Sequence, residues 1–284
     1  MKQALITIDV EEWYHLDYFK KLECDTNITV LDGLDTFYEL TQKHDVKANY
    51  FFLDVLVEKC TAVIANLKNR GDAIGSHGYD HTRPLQIDEE KYFSEMKESY
   101  KLIKAASDQN IVGYRAPCFS LDRRRLEIVK AAGFDFDSSR IDFSSHPLYG
   151  SIEMSGYEKL SKFLFRNCNF YEFEVTTMRF WGMALPISGG GYLRILPWIL
   201  SKYLISRHLR TGQLYVLYIH PYELSSIDVK LPKDSKLIDR VRFNFGRKRT
   251  KKKFEKLIRL LRAHGYEFTT FSEIISSDIE RLKS

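Results

Sequence analysis

The chain is predicted to be an α/β protein with parallel strands and helices packed outside them. Three observations point there. Short apolar runs alternate with amphipathic helical stretches from the N-terminus to about residue 137. Two of the helical stretches stop on glycine, at Gly71 and Gly133. Polar side chains able to do chemistry follow the apolar runs directly, at Asp9, His77, Arg115, Asp137 and His220. In a barrel the C-terminal strand ends form one face, so these groups would gather on it.

Ala4–Ile8 reads as the first strand, followed by a loop to about Asn27. Leu31 to Lys43 reads as a helix with Leu31, Leu34, Phe37, Tyr38 and Leu40 on one side. Val46–Leu53 is a continuous apolar run, hence a buried strand. Val55–Arg70 is expected to be helical, Ala73–Ser76 a short strand, and Glu89–Ala106 an amphipathic helix. Gly113–Arg115 is a short strand, Arg123–Ala132 a helix, and Phe134–Asp137 the next strand. Residues from about 140 to 195 break this rhythm and read as an irregular insertion within a single domain spanning 1–284. Inside it, Pro186–Tyr192 is a glycine-rich loop, suited either to cradle an anion or to pack tightly. The apolar stretch Tyr192–Ile205 carries Arg194, Pro197 and Lys202 and reads as a buried or interfacial helix. A strand at 214–219, a helix from about Thr250 to His264, a strand at Tyr266–Thr270 and a last helix close the chain. No internal repeat, low-complexity stretch or linker is visible.

A length of 284 residues, 44% apolar and 29% charged, suits a soluble globular protein with a sizeable core. The 17 Tyr and 19 Phe fit an aromatic core or sugar-stacking surfaces. Net charge is +5, part of it in the run Arg247–Lys253. That run is either the solvated entry to a helix or a contact for an anionic membrane surface or a phosphate-bearing substrate. Nucleic acid is not expected as a partner, because no nucleic-acid module accompanies the run. Cys24, Cys60, Cys118 and Cys168 are too scattered for a disulfide framework or zinc knuckle. The N-terminus enters a strand at once, unlike a signal peptide, and no apolar run approaches the ~18 residues of a membrane span. A cytoplasmic location is therefore expected, with the inner face of a membrane as the alternative site.

The segment Ser76-His77-Gly78-Tyr79-Asp80-His81 carries the most chemistry. Histidines four apart share one face of a helical turn, where their imidazoles can converge on a divalent metal. Leu5–Trp13 runs from a strand into the acids Asp9, Glu11 and Glu12, and Leu214–Ile219 ends on His220-Pro221. Asp9 and Glu11, two residues apart on a strand, should share a face. Taken alone, Arg115 fits a structural ion pair and Asp137-Ser138-Ser139 fits a helix cap. Trp13 and Trp181 fit core packing or a sugar face. No G-x-S-x-G elbow is present, which argues against a serine esterase.

Taken in order, these blocks resemble the polysaccharide deacetylase family, the NodB-homology group or carbohydrate esterase family four. Thr7-Ile8-Asp9-Val10-Glu11, His77–His81, Arg115-Ala116-Pro117-Cys118-Phe119, Asp137-Ser138-Ser139 and Leu217–Pro221 look like its five motifs. The Pro186–Tyr192 loop with Arg194, and Tyr222-Glu223, resemble a subgroup linked to bacterial exopolysaccharide and surface-glycan clusters. One departure stands: Val10 separates Asp9 from Glu11, where common members place two aspartates side by side. A D-x-[D/E] form occurs in some branches, one with metal-free ureide hydrolases.

The resemblance implies a distorted (β/α) barrel and hydrolysis of an N-acetyl group on an amino sugar of a surface glycan or its precursor. It implies one divalent metal on Glu11, His77 and His81, zinc first, with cobalt, nickel and manganese also suited. Asp9 would be the base, Arg115 its partner, His220 the acid, and Asp137 the carboxylate that holds His220. A backbone N–H near Tyr114–Ala116 would stabilise the oxyanion. The expected substrate contacts are Trp13, Tyr114, Pro117, Ser188, Gly189, Gly190 and Arg194. The competing functions are an amidohydrolase of a small ureide, imide or formamide, and a glycan-binding module without catalysis.

Overall fold

The computed structural model describes residues 2–143, 146–180 and 183–283. Trp181 lies outside the described residues. The first half runs β1 (Gln3–Val10), α1 (Asp32–Lys43), β2 (Asn49–Phe52), α2 (Asp54–Val57), α3 (Thr61–Arg70), β3 (Ala73–Ser76), α4 (Glu89–Ser107), β4 (Gly113–Tyr114), α5 (Arg123–Ala132) and β5 (Phe136–Asp137). The second half runs β6 (Glu158–Ser161), β7 (Leu164–Asn167), β8 (Phe170–Phe173), β9 (Thr177–Phe180), β10 (Met183–Pro186), α6 (Gly190–Ile195), α7 (Trp198–Leu209), β11 (Tyr215–Ile219), α8 (Pro221–Leu224), α9 (Leu237–Asn244), α10 (Arg247–Ala263), β12 (Glu267–Thr269) and α11 (Phe271–Lys283).

The main sheet follows the order β11-β1-β2-β3-β4-β5-β8-β7-β6, with β12 beside the start of β1. Pairing is parallel from β11 to β8 and antiparallel in the β8-β7-β6 meander. The stretch read as an irregular insertion therefore extends the sheet. The path is open, but side-chain and loop bonds bridge its inner gap. Val216 N donates to Thr176 Oγ1 at 2.9 Å, and Tyr218 N donates to Ser188 O at 2.9 Å. The architecture is thus a distorted, incompletely closed β/α barrel.

Alternation along β1 decides what faces where. Ala4, Ile6, Ile8 and Val10 pack outward with Phe37 of α1 and Phe254 of α10. Leu5 points inward with Phe51, Phe136, Phe173, Val216 and Phe271, which fill the barrel floor. The same inward face carries Thr7 and Asp9 above that floor, so the first polar layer sits directly on an aromatic one. Truncating Phe136 to Ala would cost roughly 3–5 kcal/mol through the cavity it leaves.

Several boundaries differ from the sequence reading. The helix expected over Val55–Arg70 is interrupted between α2 and α3. Pro197 divides the expected Tyr192–Ile205 helix, because its fixed φ and missing N–H favour a first-turn position. The helix α9 had no sequence-based expectation. The helix expected from Thr250 begins instead at Arg247, behind Gly246 in the left-handed region at φ 80°.

Candidate active site

The ends of β1, β3, β4 and β11 converge on one cavity of about 390 Å³. Asp9 and Glu11 share its inner wall and are both nearly fully buried. The histidine pair arrives by a route the spacing did not indicate. His77–His81 is a loop, with Gly78 at φ 84° and His81 at φ 67°, and no helical turn is present there. Asp54 N donates to Gly78 O and Val55 N to Tyr79 O, which fastens that loop to α2. The imidazole centroids end 5.4 Å apart.

His77 Nδ1 lies 2.9 Å from Arg115 O. A carbonyl only accepts, so Nδ1 carries the proton and Nε2 is left with its lone pair free. Glu11 Oε2 lies 2.7 Å from His81 Nε2, close but not aligned as a hydrogen bond. Both Glu11 oxygens and His81 Nδ1 are buried without a hydrogen-bond partner. Ligand atoms of Glu11, His77 and His81 all fall within 4.8 Å of one another. Buried polar atoms left unpaired around a shared point are costly in an empty site. A divalent cation, which accepts two imidazoles and a carboxylate, fits them. Burial opposes charge on Glu11, but His81, His220 and His77 outweigh it and hold the carboxyl down at about 2. Burial also pulls His77 down to about 4, which favours its neutral, ligating form.

Arg115 is fully buried and organises the floor of the site. Its Nη1 donates to Asp9 Oδ1 at 2.9 Å and also to Thr7 Oγ1. Its Nε and Nη2 donate to Ser138 O and Ser138 Oγ at 3.0 and 2.9 Å. The guanidinium stacks over Phe51, 4.4 Å from the ring centroid. One carboxylate oxygen of Asp9 is thereby fixed while the side chain still lines the cavity.

His220 faces Glu11 across the cavity, with Nε2 3.7 Å from Glu11 Oε1. Its Nδ1 lies 3.2 Å from Glu223 Oε2, which also accepts from His220 N at 3.1 Å. Burial lowers the imidazole pKa, but the bond to Glu223, then the charge of Glu11, push it up to about 9. The expected partner Asp137 is elsewhere. It accepts from Ser139 N and Ser139 Oγ at 2.8 and 2.7 Å and sits in register with Glu172 on β8. Burial and the charge of Asp137 push the Glu172 carboxyl well up. Asp137 thus braces the β4–β5–β8 junction. Ser139 Oγ in turn accepts from Ala116 N.

The expected substrate contacts divide. Arg194 lines the cavity, together with Gly191. Trp13 does not: it is fully buried and its Nε1 donates to Ile28 O at 2.8 Å. Tyr114 is also fully buried, and Pro117 is buried against Gly78. Ser188 Oγ donates to Thr176 O as part of the barrel seam. Gly189 and Gly190 are required for packing: a Cβ at Gly189 would press on the Tyr218 ring, and one at Gly190 would overlap the Glu223 carboxylate. These contacts support the tight-packing reading of the glycine loop. Of the backbone donors expected near Tyr114–Ala116, Arg115 N and Ala116 N already donate to Ser76 O and Ser139 Oγ.

Cavity walls that sequence reasoning missed include Tyr18, Tyr149, Tyr192 and Phe119. Their spacing carries no shared period, so no sequence signal marks them. Glu223 was findable. His-Pro-Tyr-Glu places a proline at N1 and an acid at N3, and an N3 acid reaches back to the N-cap. That same reach puts its carboxylate on the imidazole.

Fold and site together define a hydrolase-type β/α barrel with a metal-suited triad. Residues 28–136 match the family model of polysaccharide deacetylases, and residues 138–276 match a domain of unknown function, DUF3473. Over residues 28–136 the chain is thus similar to the polysaccharide deacetylases. A curated peptidoglycan deacetylase of Helicobacter pylori (strain ATCC 700392 / 26695) is 24% identical over 117 residues, 41% of this chain and 40% of that protein. The chain therefore matches well under half the length of that relative. A structure assigned as a polysaccharide deacetylase of Mycobacterium smegmatis covers 97% of this chain and 90% of its own, with TM-score 0.60 and 14% identity. One from Pseudomonas aeruginosa PAO1 has TM-score 0.61 at 13% identity, with 97% and 90% covered. At these identities the structural likeness speaks for the fold.

Proposed function

We propose that the chain is a metal-dependent hydrolase that removes an N-acetyl group from an amino sugar of a bacterial surface glycan or its precursor. The observation that carries this reading is the buried cluster Glu11, His77 and His81, in which both Glu11 oxygens and His81 Nδ1 lack a hydrogen-bond partner, opening into a cavity opposite His220. The cavity volume is in the range of small-ligand pockets. Its Tyr and Phe walls suit stacking on a sugar ring.

Glu11, His77 and His81 would hold one divalent ion, zinc first among the candidates. Such an ion polarises a carbonyl and makes its water more acidic. Asp9, held by Arg115, takes the proton from the attacking water. The water oxygen bonds to the acetyl carbon. His220, charged and turned by Glu223 so that Nε2 faces the cavity, gives its proton to the departing nitrogen. The C–N bond breaks, leaving acetate and a free amine. Arg115 and Glu223 act through Asp9 and His220 as positioning residues.

The test is acetate release from N-acetylglucosamine oligomers by the purified chain, with and without added zinc, cobalt or nickel. Turnover that appears with metal and is lost with chelator is the expected outcome. Turnover on ureides or formamides but on no N-acetylated sugar would overturn the substrate assignment.

A further inference from the structure

We infer that the chain docks on an anionic lipid bilayer through the face that carries one rim of the cavity. The inference stands apart from the proposed reaction. On α7, Ile199, Leu200 and Tyr203 are exposed at 84%, 43% and 56%. On α9, Leu237, Ile238 and Val241 are exposed at 77%, 54% and 49%. Both sets have the spacing i, i+1, i+4, which spans about 100° of a helix surface. Scattered exposed apolar side chains are ordinary, but a whole apolar helix face turned to solvent marks an interaction surface.

The two faces are tied together. Buried Arg194 donates from Nη1 to Phe243 O and Phe245 O at 3.1 and 2.7 Å, which fixes the end of α9 against α6. Lys253 Nζ donates to Leu196 O at 2.6 Å, and Lys256 Nζ sits 5.7 Å from the Trp198 ring centroid. These contacts set α10 against the start of α7. Ile195 and Phe245, also half-exposed, lie at the junction.

Charge is one-sided here. Residues 195–210 and 236–256 hold thirteen Lys and Arg against Asp239 and Glu255, in a chain whose net charge is only +5. Both acids are engaged, Asp239 by Arg242 and Glu255 by Lys43. Lys202, Lys248, Arg249, Lys251, Lys252 and Lys256 are exposed. At 100° per residue, Arg249, Lys252 and Lys256 fall on the side of α10 that meets α7.

Apolar side chains ringed by basic ones are the composition of a surface that lies in a membrane interface. Among the exposed bases of these two segments, six are Lys and four are Arg. Lysine is depleted at protein–protein interfaces, whereas its long stem can reach from an apolar layer to headgroup phosphates. Exposed Ile199 and Leu237 have no use in binding a soluble polyanion. Ile195 belongs both to this face and to the cavity wall. Docking would therefore set the cavity mouth at headgroup level.

The test is co-sedimentation of the full chain with vesicles of phosphatidylcholine alone or mixed with phosphatidylglycerol. Binding to the mixed vesicles, weakened by salt, is expected. The triple variant Lys248→Ser, Arg249→Ser, Lys252→Ser should bind about a hundredfold more weakly, at roughly fivefold per base. The double variant Ile199→Ser, Leu237→Ser should lose at least about tenfold. Circular dichroism checks that both variants fold. Three results overturn the inference: no sedimentation with mixed vesicles, binding that the apolar variant leaves intact, or self-association through this face with no vesicle binding.

Discussion

In a Glu223→Gln variant the oxygen facing His220 Nδ1 at 3.2 Å loses its charge while the side chain keeps its volume. Among the influences that raise the His220 pKa to about 9, the bond to Glu223 comes first and the charge of Glu11 second. A cation bound at Glu11 would offset the second, which leaves Glu223 as the main support. Removing it should lower the imidazole pKa by roughly 1–2 units. A histidine with a raised folded pKa is charged below that value and loses its proton as pH rises through it. The charged fraction at pH 8 would then fall from about nine-tenths to between about a half and a tenth, and kcat/KM with it. Near pH 6 this route costs little, so the alkaline limb of the pH–rate profile moves down while the acid limb stays. The assay is acetate release across pH, with metal content measured on the same samples. Asp137→Asn is the comparison, because Asp137 bonds Ser139 and has no contact with His220. An unmoved alkaline limb in Glu223→Gln, or a shifted one in Asp137→Asn, refutes the reasoning. Arg194 also loses its carboxylate at 3.3 Å, so thermal unfolding is followed separately.

Replacing His77 by Ala should bring bound metal to background and abolish turnover, and elemental analysis showing full occupancy would reject the triad. Asp9→Asn should keep its metal and lose about 10²–10⁴ in kcat. Metal lost in proportion to activity would make Asp9 a ligand instead. The same variant leaves buried Arg115 without its ion partner, a destabilisation of about 1–3 kcal/mol measurable in urea. Asp54 offers a pH test of stability. Burial pushes its carboxyl up to about 7, against the hydroxyls of Ser99 and Ser76, which pull it down. The folded state keeps that proton to higher pH than the unfolded chain, so stability is greatest near or below the unfolded pKa and declines as pH rises through about 7. Asp54→Asn should therefore be more stable than the parent at pH 8 by about 1–3 kcal/mol and equal to it near pH 4. An identical pH dependence in both proteins would dismiss that account.

Much of this arrangement was legible in the sequence because its causes are local. A strand's alternation follows from backbone geometry, so Asp9 and Glu11 on one face could be expected from their spacing. The ordered polar ends of β1, β3, β4 and β11 followed from β-α alternation. What escaped depends on tertiary contact. The meander of β6, β7 and β8 is aromatic-rich and lacks a clean period, so its edge pairing to β5 left no local trace. The histidine pair was found for its spacing, yet it closes through two residues at positive φ, where a helical turn was expected. Apolar periodicity on α7 and α9 signals a face but not what covers it. The glycines at 189 and 190 looked like an anion loop, and only their distances to Tyr218 and Glu223 reveal packing.

The division of the chain into two matched families cuts across the site. Residues 28–136 supply His77, His81 and Arg115, while Asp9 and Glu11 precede that match. β1 carries these two acids into the site through its pairing with β2 and β11. His220, Glu223 and Arg194 come from residues 138–276. That second segment also builds the seam from Thr176 and Ser188 to β11, and seats Glu223 over Gly190. His220, Glu223 and Arg194 thus form one packed unit around α6 and α8. Holding Nε2 of His220 opposite Glu11 requires that unit to sit correctly on β1. In the fold, then, the DUF3473 segment supplies half of the candidate site and acts as more than a decoration on a finished catalytic half. A Gly190→Ala substitution would strike Glu223 directly and should impair His220-dependent turnover while leaving the Glu11–His77–His81 metal in place.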